Sequence, residues 1–330
     1  MDSLSSVIQL PPPHSNAPTD DKESRNYLLF FIPGCPGPVA YYGTFLSNLH
    51  VALNSATSSS VEARFEVLGR SLASRNDGTA AVDKLPSSTS AMIGEIELLE
   101  AALLDRVDEL AAGEKGGVLP KVILVGHGAG GYIALELMKR LQPNSSTAKA
   151  KRIELAGTVC LFPSVSMKSV AGTVSQAVLS ALSSSALFVH ALVKCILFPL
   201  PFKVIEGLLR TSTGLSGNAA KVTSEMIGSK WGIYEALTLW RNQMEDRQSG
   251  RWDDAIFSSN IGTGAHTYML FGQNDNEPST GRGQDRLEPR VGIHVSQLPD
   301  FFFTCQSESG SVAKLVQEYV EEIVRLDISS

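Results

Sequence analysis

The sequence predicts an α/β fold, a mostly parallel, doubly wound sheet carrying a helical, apolar insertion. Three observations predict it. Tyr27-Leu28-Leu29-Phe30-Phe31-Ile32 is an unbroken apolar run closed by Pro33-Gly34, the composition of a strand buried on both faces of a parallel sheet. Similar runs alternate along the chain with stretches of helical apolar spacing, the order expected of βαβ units. Finally, Val122-Ile123-Leu124-Val125 leads straight into Gly126-His127-Gly128-Ala129-Gly130, a strand feeding a glycine-rich turn and a helix.

The elements follow in order. Residues 1–25 read as a disordered leader: Met1 to Asp21 holds Pro11-Pro12-Pro13 with Ser and Asp residues and lacks the basic and apolar regions of a secretory signal. Residues 26–330 form one domain. After the first strand comes the loop Gly34-Cys35-Pro36-Gly37-Pro38, then a helix from Val39 to Leu53. Phe65 to Leu68 is a weaker strand and Ser71 to Pro86 a polar loop. Ser90 to Ala112, with apolar positions Met92, Ile93, Ile96, Leu98, Leu99, Leu103, Leu104, Val107 and Leu110, is an amphipathic helix entered through serines. Lys121 to Val125 is a strand, Tyr132 to Leu141 a helix, and Leu155 to Phe162 the next buried strand. Thr267 to Phe271 and Val291 to Val295 complete the strands, and Val312 to Leu326 closes the chain as a helix. Sites on such sheets lie at the carboxyl ends of the strands.

Composition excludes several classes. The 330 residues are 43% hydrophobic and 19% charged with a net charge of -6, so the basic footprint of a nucleic-acid binder is missing. Cys35, Cys160, Cys195 and Cys305 form no C-x-x-C pair and have no histidine at ligand spacing, so no metal or other cofactor is expected and the thiols read as reduced and intracellular.

The insertion spans about residues 167–252. Ser169 to Val193 contains no Asp, Glu, Lys or Arg, and Ile196-Leu197-Phe198-Pro199-Leu200-Pro201-Phe202 follows. Serines and glycine dilute the stretch, and no second span returns the chain to the sheet, so a membrane crossing is not favoured. Two readings stand. Residues 168–205 are a surface that lies on lipid, with Lys168, Lys194 and Lys203 meeting headgroups, or they are a buried helical cap.

Gly126-His127-Gly128-Ala129-Gly130 has the frame of G-x-S-x-G. In that motif the outer glycines allow strand and helix to approach closely, and the central side chain presents an oxygen above the sheet edge. Gly128 has no side chain to present.

Ile32-Pro33-Gly34-Cys35-Pro36-Gly37, Tyr41-Tyr42, Gly126-His127-x-x-Gly130-x-Tyr132, Leu161-Phe162-Pro163 and Phe271-Gly272-x-x-Asp275 together resemble the lipid droplet-associated hydrolase family of α/β-hydrolases. The resemblance runs over most of the chain after Arg25. It implies an α/β-hydrolase fold, esterase activity on neutral lipids, a lipophilic small-molecule substrate, and association with lipid droplets or the endoplasmic reticulum surface; without such association the protein would be cytoplasmic. Against the family pattern, Gly128 replaces the nucleophilic serine, Asp300 in Leu298-Pro299-Asp300-Phe301-Phe302 replaces the triad histidine, and Cys35 replaces an asparagine. Only Asp275 keeps its triad identity.

A serine acyl-enzyme needs an oxygen nucleophile and a base within hydrogen-bond reach. Loss of nucleophile or base costs on the order of a millionfold in kcat. The sequence therefore predicts little ester hydrolysis by that route. The backbone of an oxyanion hole survives as the Ala129 N–H and the loop around Cys35, unless the glycines there only serve a turn. Asp275 and Asp300 would lie on the loops that normally join acid and base. Two close carboxylates share a proton and suit non-covalent work: epoxide opening, cyclisation or dehydration of a polyketide-like metabolite of secondary metabolism. The plainer reading makes Asp300 a solvated loop residue and Asp275 a turn cap. A third function is a droplet-associated binding protein without catalysis, a pseudoenzyme. His127 flanks the elbow and is read for orientation or packing before catalysis. His294 would serve as a base only if its strand turned it inward. Cys35 reads as a small buried thiol, and Trp231, Tyr234 and Trp240 as cap packing.

Overall fold

A computed structural model of the chain describes residues 5–13, 24–55, 62–72, 92–113, 119–141, 153–163, 185–197, 200–248, 265–272, 291–299 and 301–329. Its strands are β1 (Val7–Leu10), β2 (Ser24–Ile32), β3 (Glu62–Arg70), β4 (Lys121–His127), β5 (Glu154–Leu161), β6 (His266–Gly272) and β7 (Val291–Ser296). They form one sheet in the order β1-β3-β2-β4-β5-β6-β7, parallel throughout except for β1.

The apolar run of β2 explains the layering. Successive side chains point to opposite faces of a strand. Tyr27, Leu29 and Phe31 join a cluster with α1 (Gly43–Ser55) and the closing helix, while Leu28, Phe30 and Ile32 join another with α2 (Met92–Gly113) and α3 (Ala129–Arg140). Both sets are fully buried.

The chain moves from β2 to β3 on one side, then returns to place β4 on the other side of β2, in register from Tyr27 opposite Lys121 to Ile32 opposite Gly126. This reversal opens a crevice beyond the strand ends between the loops after β2 and β4. Both glycine-rich segments lie there.

Among the described residues, four further helices, α4 (Ala186–Leu197), α5 (Phe202–Thr213), α6 (Gly217–Gly228) and α7 (Gly232–Gln248), fall between β5 and β6, within the expected insertion. The last helix is α8 (Gln306–Ser329). Asp327 fastens its end to the sheet, accepting from Lys121 Nζ at 2.7 Å and from the Tyr27 hydroxyl at 2.9 Å.

Two expectations need correction. The span expected as a leader contains β1, whose Val7 to Leu10 pair with Arg70 to Val67 and cover the edge of β3. The helix expected over Val39 to Leu53 is two elements. Pro38, with φ -68°, opens a 3-10 turn over Val39–Tyr42 before α1 starts at Gly43. The expected loop from Ser71 to Pro86 lies mostly outside the described residues.

Candidate active site

The site grows from the end of β4. Gly128 turns the chain at φ 54° and ψ -117°, and α3 begins at the next residue. A side chain in such a conformation costs about 1–3 kcal/mol, and glycine escapes that cost. The flanking glycines are held by contact. A β-carbon on Gly126 would fall 2.2 Å from the Gly130 carbonyl oxygen, and one on Gly130 would fall 2.2 Å from that of Ile32. The backbone of a nucleophile elbow is therefore built in full. Gly128 donates its own N–H to the Leu161 carbonyl at 2.9 Å. The Ala129 N–H is the first of α3, where amides have no intrahelical partner.

His127 is buried beside the elbow. Its Nδ1 lies 2.8 Å from the Tyr42 hydroxyl, whose oxygen accepts the Gly34 N–H at 3.4 Å. A β-carbon on Gly34 would come within 2.9 Å of both Nδ1 and the carbonyl oxygen of His127. The loop after β2 thus packs directly on the elbow histidine, with a phenol joining the two. His127 is the residue before the elbow position and not the triad histidine, and the Tyr42 hydroxyl holds its Nδ1.

The side chains packed on His127 are aromatic. Phe302, Phe303 and Phe162 meet the His127 ring edge-on, at centroid distances of 5.3, 5.6 and 6.1 Å. Phe162 is held at φ 46°, a conformation that disfavours a bulky residue, while its N–H donates to the Leu270 carbonyl at 2.7 Å. The insertion is fastened to the same loops. Asn218 donates to the Ala40 carbonyl at 3.0 Å, and Tyr41 and Thr223 pair their hydroxyls at 2.9 Å. Burial pushes the Tyr41 phenol above its ordinary pKa, with the nearby Cys35 adding to the rise against the lowering effect of Thr223. Gly37, at φ 105°, sits under Leu239 of α7.

Among the expected site residues, His127, Gly128 and Ala129 are consecutive at the elbow, and partly exposed Cys35 follows the glycine that touches His127. Asp275 and Asp300 lie outside the described residues. Their strands end at Gly272 and Ser296, neighbouring and parallel, at the same sheet edge as Gly128. His294 does not turn toward the elbow: it is exposed, with its ring 4.9 Å from that of Tyr319 on α8. Trp231 stacks on His190 within the insertion. Among the described residues, no group of three His, Cys, Asp or Glu side chains is arranged to hold a metal ion.

Sequence reasoning missed Tyr42 as the partner of His127 and Phe302 and Phe303 as the rings packed on it. Tyr41-Tyr42 was visible as a motif, but its use depends on the 3-10 turn.

Sheet order and elbow define an α/β-hydrolase fold. The family model of lipid-droplet associated hydrolases matches residues 25–280, and the chain belongs to that family. Among solved structures, it is similar to a peroxisomal α/β-hydrolase from Saccharomyces cerevisiae, with 13% identity and a TM-score of 0.55 over 97% of this chain and 88% of that one. A soluble variant of monoglyceride lipase from the same yeast gives 12% identity and a TM-score of 0.50 over 96% and 90%. These likenesses concern the fold. No curated protein matches the chain.

Proposed function

We propose that this protein is a lipid-surface member of its family whose site binds a lipophilic, oxygen-bearing molecule and performs no serine acyl-enzyme chemistry. One observation carries the reading: the elbow keeps its strained turn and both close glycine contacts, yet residue 128 is glycine. At the elbow itself the loss is confined to the side chain of residue 128. Around it remain the Ala129 amide, the loop at Cys35 and a cluster of aromatic rings on His127, a setting that suits an apolar ligand with a carbonyl or ether oxygen. On this reading His127 supports the loop through Tyr42.

Lipid contact is supported by the insertion. Leu187, Phe188, Leu192 and Ile196 on α4, with Val204 and Leu208 on α5, are exposed apolar side chains. Among the described residues no single helix is long and apolar enough to cross a membrane; α4 and α5 together meet that test of length and composition, but bend by 107° at their junction. Such a pair fits a monolayer or droplet surface better than a crossing. The site and the insertion together favour a droplet or endoplasmic reticulum surface over free cytoplasm.

A second reading is favoured by the strand ends. The ends of β6 and β7 lie at the edge that carries Gly128, and in sequence Asp275 and Asp300 come only a few residues after them. As a carboxylic acid and carboxylate they would perform non-covalent epoxide opening, cyclisation or dehydration.

The test combines rescue and removal. Gly128→Ser with Asp300→His should bring p-nitrophenyl ester hydrolysis well above the unmodified protein; if the double variant stays silent, the pocket has changed beyond its triad and the reading fails. Asp275→Asn and Asp300→Asn in producing cells separate the alternatives, because an unprocessed metabolite accumulates only if these acids catalyse.

A further inference from the structure

α4 is built inside out. Its exposed positions are Leu187, Phe188, Ala191, Leu192, Cys195 and Ile196, spaced to share one side of the helix, and none is charged. Its polar side chains turn inward. His190 is buried and stacks on Trp231 with ring centroids 5.4 Å apart, and Lys194, half-buried, donates to the Gly228 carbonyl at 3.0 Å. That carbonyl lies in the last turn of α6, where backbone acceptors have no intrahelical partner and a cation is favoured. Lys194 is therefore engaged in holding α4 to α6, against the expectation that it meets headgroups; Lys168 lies outside the described residues.

A helix facing water has the opposite arrangement, with its apolar stripe on the core. Of the twelve large apolar side chains exposed among the described residues, seven lie on α4 and α5, where Phe202, Val204 and Leu208 extend the face. Its charge is small. With Lys194 engaged, α5 supplies two cations, Lys203 and Arg210, and one anion, Glu206, a net charge of +1. Anionic lipid is recognised by clustered Lys and Arg, each contributing roughly fivefold in affinity at the surface. A protein interface surrounds its apolar centre with polar groups that hydrogen-bond across it. The outer side of α4 offers hydrocarbon alone.

We propose that the outer face of α4 inserts into the acyl region of an uncharged lipid surface whose loosely packed headgroups leave hydrocarbon open, and that headgroup charge contributes little to its binding. This rests on the lipid-surface reading above and names the chemistry of that surface.

The experiment is flotation of the full chain, at low and high salt, with triolein droplets coated with dioleoyl-phosphatidylcholine, with large vesicles of the same lipid, and with such vesicles containing phosphatidylserine. The droplets should bind best, and high salt should not release the protein. Phosphatidylserine should raise vesicle binding by no more than about fivefold, the contribution of one net charge. Leu192→Ser should weaken droplet binding about tenfold while keeping the far-ultraviolet circular dichroism spectrum. Lys194→Gln, which keeps a donor for the Gly228 carbonyl, should leave binding unchanged. The unmodified protein alone decides the matter if a variant misfolds. Binding only to phosphatidylserine vesicles, or release at high salt, would overturn the proposal and leave the lipid-surface reading standing; no binding to any of the three would overturn both. Self-association without lipid that Leu192→Ser abolishes would place a second copy on this face and overturn the proposal as well.

Discussion

Alanine at position 128 should destabilise the protein although it adds only a methyl group. At φ 54° and ψ -117° the new β-carbon meets backbone strain of about 1–3 kcal/mol. Against this, replacing glycine restricts the unfolded chain and returns about 0.4–1 kcal/mol. The net loss is about 1–2 kcal/mol, a fall in Tm of roughly 1–3 °C in a chain of 330 residues. Gly207→Ala is the control, since Gly207 lies within α5 in open space and alanine should stabilise there by about 0.5–1 kcal/mol. Urea denaturation of both variants gives the comparison, with midpoints moving in opposite directions at unchanged slope. A Gly128→Ala midpoint that rises with that of Gly207→Ala would refute the strained-elbow argument.

Three further outcomes are expected. Tyr42→Phe removes the hydroxyl shared by His127 Nδ1 and the Gly34 N–H and should lower stability by about 1–3 kcal/mol in chemical denaturation. Burial pushes the Cys160 thiol up to about 12 from an ordinary value near 9; because the folded value is the raised one, stability present below pH 9 is lost as pH climbs toward 12. In the Cys160→Ala protein the fall in the unfolding free energy from urea denaturation over that interval should be shallower, by about 1.4 kcal/mol per pH unit. Phe188→Glu with Ile196→Glu alters only exposed side chains, so liposome or droplet flotation should fall sharply while the melting curve stays in place.

The sheet was legible because its strands are apolar over their whole length. Residues 27–32 and 122–125 admit few other readings, and the glycines at 126 and 130 have one physical purpose, close backbone approach. β1 escaped notice because four residues beside a proline run carry too little pattern, and only the edge of β3 makes Val7 to Leu10 a strand. The absence of a side-chain nucleophile at the elbow can be read from one letter, Gly128. The pairing of Tyr42 with His127, 85 residues apart, cannot. It arises because a 3-10 turn after one strand and the end of another meet at a reversal of strand order. Phe302 and Phe303 were hidden for a similar reason: local pattern identifies them as apolar but not what they face.

The central claim is that the elbow stands complete without a covalent nucleophile. Intact-mass spectrometry after incubation with a fluorophosphonate tests it most directly, alongside the Gly128→Ser and Asp300→His double variant. The account predicts an unmodified mass for the natural sequence and a single adduct, mapping to the introduced serine, for the variant. An adduct on any serine of the natural sequence would contradict it.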